Sequence, residues 1–172
     1  MARGQEVELC ENEIIISKTD PKGRITYANR RFMQIAGYAE PELLGKPHNL
    51  IRHSDMPRGV FRFLWQTLQE KKEFFGYVKN LTSDGGFYWV LANITPDYRV
   101  DSSLAGYFSV RRRPNYQAIK QVSEWYKEML KIEAAETPSR APEASLLWLK
   151  DQVKQQGCSY NDLVTRLEGL EE

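Results

Sequence analysis

Phe74-Phe-Gly-Tyr-Val-Lys-Asn80, then Ser83-Asp-Gly-Gly86, then Phe87-Tyr-Trp-Val-Leu-Ala-Asn-Ile-Thr95 is the stretch that decides the fold class. Two runs rich in aromatic and β-branched residues flank a turn, and the pair Asp84-Gly85 is a strong hairpin signal because tight primed turns need positive φ. The two runs therefore pair antiparallel. Alternation along the first run puts Tyr77, Lys79 and Leu81 on one face and Gly76, Val78 and Asn80 on the other. The pattern alone leaves open which face looks inward.

Working outward, Gly106-Tyr-Phe-Ser-Val110 reads as a third strand, and Pro114 ends the sheet. The run Arg111-Arg-Arg113 reads as a strand end opening into solvent, the usual place for a charge run. Upstream, Phe61, Leu64, Trp65 and Leu68 form a helical stripe between Arg58 and Lys71, which is expected to pack against the sheet. Earlier still, Glu13-Ile-Ile-Ile-Ser-Lys-Thr19 and Ile25-Thr-Tyr-Ala28 flank the turn Asp20-Pro-Lys-Gly-Arg24, so a hairpin opens the chain. Asn29 stands where a helix N-cap belongs, with the alternative that its side chain faces a pocket, and Gly37 closes that helix. Glu40 to Leu44 makes a single further turn.

Beyond Pro114, Ile119, Val122, Tyr126 and Met129 form a helical seam, either of a short coiled coil or of a helix docked on its own domain. Thr137-Pro-Ser-Arg-Ala-Pro142 reads as a linker. Leu146, Leu149 and Val153 line one more helix that Gly157 stops, and Ser159 starts a last helix bearing Leu163, Leu167 and Leu170. The expected divisions are a cap over 1–12, a sensor domain over 13–113, a helix over 114–136, a linker over 137–143 and a helical pair over 144–172.

Composition narrows the function. The chain has 172 residues, 41% of them apolar, enough for one core with some length left over. A net charge of +1 supplies no basic field to drive nucleic-acid binding. No apolar run approaches the length of a membrane span and the amino terminus has no signal-peptide core, so a cytoplasmic protein without membrane insertion is expected. Cys10 and Cys158 lie outside any metal or redox spacing, and with two histidines no metal site is expected.

Both histidines fall in Pro47-His-Asn-Leu-Ile-Arg-His-Ser-Asp-Met-Pro57, beside Arg52, Asp55 and an amide, and an aromatic run follows at once. That mixture suits a ligand with a charged end and a flat end. Arg52 would meet a phosphate, while Phe61 or Trp65 would lie against a ring. A polar loop leading into an amphipathic helix is the plainer reading of the same residues.

From about Glu13 to Arg113 the sequence resembles the flavin-binding PAS sensor of bacterial aerotaxis receptors. The resemblance rests on Ile25-Thr-Tyr-Ala-Asn29, Gly37-Tyr with Glu42-Leu-Leu-Gly45, the whole of Gly45 to Pro57, Val78-Lys-Asn80, Tyr88-Trp-Val90 and Gly106-Tyr-Phe-Ser-Val-Arg111. It implies an α+β PAS fold, a five-stranded antiparallel sheet with short helices on one side, here followed by C-terminal helices. It also implies FAD held without a covalent bond by Asn29, Arg52, His53, Asp55, Phe61, Trp65 and Asn80, with the redox state of the flavin as the signal. Asn80 and Asn29 would face the pyrimidine edge of the ring, Arg52 with His53 the diphosphate, and Asp55 a ribose or adenine, or else only the following helix as its cap. Family members usually place proline at Ser54, tryptophan at Phe74 and basic residues at Leu81 and Thr82. No membrane anchor or long signalling coiled coil is present in the sequence, so output to an unidentified signalling protein in trans is expected, with a homodimer also allowed. The protein is not expected to be an enzyme, and no cysteine lies where a light-driven flavin adduct would need one. The alternatives are a cofactor-free PAS interaction module and a haem sensor using His48 or His53.

Overall fold

The computed structural model describes residues 4–170 and divides into two compact units. One holds residues up to His53 together with 71–113, and the other holds 54–70 together with 114 onward. The sequence reading had kept 54–70 within a domain spanning 13–113.

The first unit is built on an antiparallel sheet of β1 (Ile15–Thr19), β2 (Ile25–Ala28), β3 (Phe74–Leu81), β4 (Phe87–Tyr98) and β5 (Leu104–Arg112), in the order β2-β1-β5-β4-β3. The Asp84-Gly85 turn joins β3 to β4, with Gly85 alone left-handed at φ 87° and Asp84 not, the pattern of a type I turn followed by a bulge glycine in place of the primed turn expected. Asn80 stands opposite Tyr88 in this pair. The register of β4 on β5 and of β5 on β1 puts Ser17, Asn80, Tyr88 and Arg111 on one common face with Ile15, Val90 and Ala92. That face is the inner one, because Ile15 and Val90 are fully buried in the unit's core.

Short helices cover it. α1 (Arg30–Ala36) starts at Asn29, whose side-chain oxygen accepts from Phe32 N–H, and ends at Gly37, which takes the left-handed conformation at φ 72°. Phe32, Ile35 and Ala36 are the buried side of α1. α2 (Glu40–Leu43) buries Leu43, and a 3-10 turn over His48–Ile51 buries Ile51. The N-terminal segment adds to the sheet where β4 begins: Val7 N–H donates to Phe87 C=O at 2.8 Å and Phe87 N–H donates to Gln5 C=O at 3.1 Å.

The second unit consists of α3 (Arg58–Gln69), α4 (Tyr116–Ala135), α5 (Ala141–Gln155) and α6 (Tyr160–Leu167). Both α3 and α4 pack on α5. The stripe on α3 is shifted from the one read in the sequence: Val60, Leu64 and Leu68 are buried, whereas Trp65 is 41% exposed. Gly59 supplies part of the reason. A Cβ there would stand 2.2 Å from Ser145 Oγ, so only glycine lets α3 approach the start of α5 this closely. The linker expected over 137–143 is shorter than read, because α5 already begins at Ala141. Pro142 sits in its first turn, where a missing N–H costs nothing. The expected start of the last helix is present, with Ser159 and Asp162 capping each other's N–H groups. No helix among the described residues is long and apolar enough to cross a membrane.

Candidate functional site

The inner face of the sheet carries a cluster of polar side chains where a core of this size normally has none. Ser17, Asn80, Tyr88 and Arg111 are each at most 3% exposed. They come from four strands, β1, β3, β4 and β5, and the register between those strands puts all four on the inner face.

Arg111 is the centre of the cluster. Its guanidinium lies over the Phe32 ring, 4.6 Å from the centroid, and donates through Nη2 to Ser17 Oγ. Burial pulls its pKa down to about 10, so it still carries its charge at neutral pH. No carboxylate pairs with it among the described residues, and its Nε and Nη1 have no acceptor. An arginine has five N–H donors and no acceptor, so this is a buried cation with most of its hydrogen-bonding capacity unmet. The charge run read as a solvated strand end is therefore divided: Arg112 and Arg113 face solvent, and Arg111 does not. Strand alternation from Ser109 was the available signal, and three consecutive arginines concealed it.

His48 joins the cluster from the 3-10 turn. Its ring stacks on Phe32 at 5.8 Å and 22°, with Nε2 3.3 Å from Ser17 Oγ. Burial, then repulsion from Arg111, lowers its pKa to about 3, so the imidazole is neutral at physiological pH. Because Arg111 only donates, the Ser17 hydroxyl proton is directed to Nε2, and the ring proton of His48 belongs on Nδ1. The result is a one-way chain of donors from Arg111 through Ser17 to His48.

Two further donors lack acceptors. The Tyr88 hydroxyl and Asn80 Nδ2 are both buried without a hydrogen bond. They are electrostatic neighbours without reaching bonding geometry with each other, and burial pushes the phenol up to about 12, partly offset by the Arg111 charge. Native interiors seldom leave such groups unmatched, and each one costs on the order of 1–3 kcal/mol when it stays so. Four donor atoms on three side chains are thus buried without an acceptor.

The residues proposed from sequence are distributed as follows. Asn80 lies in this cluster. Asn29 lies beside it, but its amide is committed to backbone: Oδ1 accepts from Ile16 N–H at 3.1 Å and Phe32 N–H at 3.0 Å, and Nδ2 donates to Ile14 C=O at 2.9 Å. Those bonds fix the start of α1 against β1, the capping role read from its position. Arg52 pairs with Asn80 in an isolated antiparallel bridge. His53 N–H reaches Lys79 C=O at 3.4 Å, and its ring meets the Phe87 ring edge-on at 5.8 Å. Arg52 and His53 thereby tie the end of the histidine-bearing loop to β3 at the site of Asn80. Asp55, Phe61 and Trp65 belong to the second unit. Asp55 is exposed in a turn, and the N-cap of α3 is Pro57. Ser17, Tyr88 and Arg111 were not among the ligand residues proposed from sequence, and His48 was named only for the haem alternative.

Residues 25–108 match the family model described as PAS fold. The chain carries a PAS domain. Its sequence is 39% identical to the aerotaxis receptor of Escherichia coli over 125 residues, which is 73% of this chain and 24% of the receptor. It is 35% identical to the nitrogen fixation regulatory protein of Klebsiella pneumoniae over 99 residues, 58% of this chain and 20% of that protein. The chain thus spans a quarter or less of these relatives' length. Among solved structures, a PAS domain from Colwellia psychrerythraea superposes with a TM-score of 0.54 at 20% identity, covering 58% of this chain and 85% of that one. That likeness concerns the PAS fold, which the strand order and short helices above already display.

Proposed function

We propose that this PAS domain binds FAD without a covalent bond against the inner face of its sheet and signals the redox state of the flavin by protein contact, without catalysing a reaction. One observation carries the reading: the unmatched donors of Arg111, Asn80 and Tyr88, buried on one face. The residues fit the group, because the pyrimidine edge of an isoalloxazine presents carbonyl oxygens and ring nitrogens to just such donors, and its flat face suits an aromatic and aliphatic interior. The similarity to the aerotaxis receptor supports the same choice. When bound, FAD supplies a ring that takes up and gives back electrons.

The chain's own residues do the rest. Arg111 would supply positive charge to a bound ring, and His48, kept neutral, accepts from Ser17 and so fixes its orientation toward Arg111. The Asn80 amide is able to rotate and present oxygen in place of nitrogen. The backbone of Asn80 is bridged to that of Arg52, so the amide stands where β3 meets the loop that leaves the sheet. Arg52 remains the candidate for the diphosphate.

Purified protein is expected to be yellow and to release FAD, identified by mass, on denaturation. Arg111→Met is expected to lose the flavin and, in the flavin-free state, to be more stable than the parent by roughly 1 kcal/mol or more, since it removes a buried unpaired charge. Colourless protein that gains no flavin on reconstitution would show a cofactor-free interaction module instead, and a Soret band would show a haem protein.

A further inference from the structure

α3 begins at a residue that offers no side-chain cap. Its N-cap residue is Pro57, whose side chain accepts nothing, and no acidic residue stands in its first turn. The free N–H groups there need an acceptor from elsewhere. It comes from α4, 74 residues away in sequence: Gly59 N–H donates to Glu133 Oε1 at 2.9 Å. The same oxygen accepts from Ser145 Oγ at 2.6 Å, and Ser145, near the start of α5, is fully buried. A second link lies alongside, the ion pair of Arg62 on α3 with Glu143 on α5. One carboxylate from the last turns of α4 therefore serves the starts of both α3 and α5, where the helix dipoles favour negative charge.

We propose that Glu133 is a clasp that makes α3, α4 and α5 open as one cooperative unit, and that this unit is the output element of the sensor. The clasp stands independently of the bound group; its use as an output rests on the flavin reading above. His53 ends the sheet unit and Ser54 begins the helical one, so a shift of the loop that carries His48 and Arg52 enters α3 through Ser54 to Pro57. Glu133 passes that shift to α4 and α5 because it is bonded to Gly59 in the first turn of α3. It is a positioning residue and touches no ligand.

Amide hydrogen exchange on the full chain tests this. The Gly59 amide is expected to be protected, and α3 and α5 are expected to share one opening rate. Glu133→Ala should speed exchange at Gly59 at least about tenfold and split α3 from α5, while β3 to β5 keep their protection. Glu133→Gln, which keeps an acceptor oxygen, should restore part of it. A parent Gly59 that exchanges like an unbonded amide, or an α3 and α5 that still open together in Glu133→Ala, overturns the clasp. In flavin-loaded protein, reduction with dithionite should alter exchange as far as α4 in the parent and no further than α3 in Glu133→Ala; a change that still reaches α4 in the variant overturns the output role. Protein that retains no flavin would refute the functional reading and leave the Gly59 measurement to judge the clasp.

Discussion

At the scale of single residues, burial rather than identity sets the chemistry. Arg111 and Arg112 are adjacent and identical, yet one is a buried cation over Phe32 and the other a solvated surface group. His48 shows the same dependence. Its folded pKa lies near 3, below the ordinary 6.5, because burial and then the Arg111 charge disfavour the imidazolium. The consequence has a definite sign. Above pH 6.5 the imidazole is neutral in both folded and unfolded chains and contributes no pH dependence. Below it the unfolded chain binds a proton that the folded chain refuses, so stability falls as pH falls toward the folded pKa, by at most about 1.4 kcal/mol per unit. Urea midpoints of the parent and His48→Gln, measured from pH 7.5 to 4.5, should therefore agree in slope above 6.5 and diverge below it, with the parent losing more. Parallel curves throughout would mean that His48 is not held neutral.

At the scale of elements, close approach decides which positions tolerate change. The start of α3 meets α5 through Gly59, where an added Cβ would also lie 2.8 Å from Leu146 N and 3.0 Å from Pro142 O. Two of those three contacts are backbone atoms that cannot swing aside. Gly59→Ala should destabilise the helical unit by about 1–3 kcal/mol, the range for overpacking, read as a lower thermal midpoint of the helical signal. An unchanged midpoint would show that α3 and α5 are farther apart than described. The sheet has a comparable point at Gly106, where a Cβ would stand 1.8 Å from Thr19 O. Turn and cap chemistry at this scale was readable in the sequence, because Asp84-Gly85, Gly37, Gly157 and Ser159 act through their own neighbours. The α3 cap was not readable: its donor and acceptor are distant in the chain, and Glu133 stands in a run of ordinary helical Glu, Lys and Ala.

At the scale of the whole molecule, the chain leaves the sheet unit at His53 and returns at Lys71. Neither unit is one continuous segment, so cutting after Arg113 does not release an intact domain. Residues 1–113 keep α3 but lose α5, its packing partner, and Val60, Leu64 and Leu68 lose their cover. The truncated chain is expected to bind a hydrophobic dye and to be cleaved by protease first within 54–73, whereas the full chain resists there. Equal resistance in the two chains would show that α3 needs no helical partner.

The sequence by itself determined the antiparallel hairpins, their turns and the presence of C-terminal helices, since each follows from periodicity and local φ preferences, and its resemblance to a known family implied the PAS topology. It also placed Asn80 and the histidine-bearing loop among the candidates. Only the tertiary structure decided that Asn80 faces inward, that Arg111 and Tyr88 face it, and that α3 lies on α5. Those facts depend on register between strands and on contacts between residues far apart in the chain, where a period of two or 3.6 names the alternate faces but not which of them is covered.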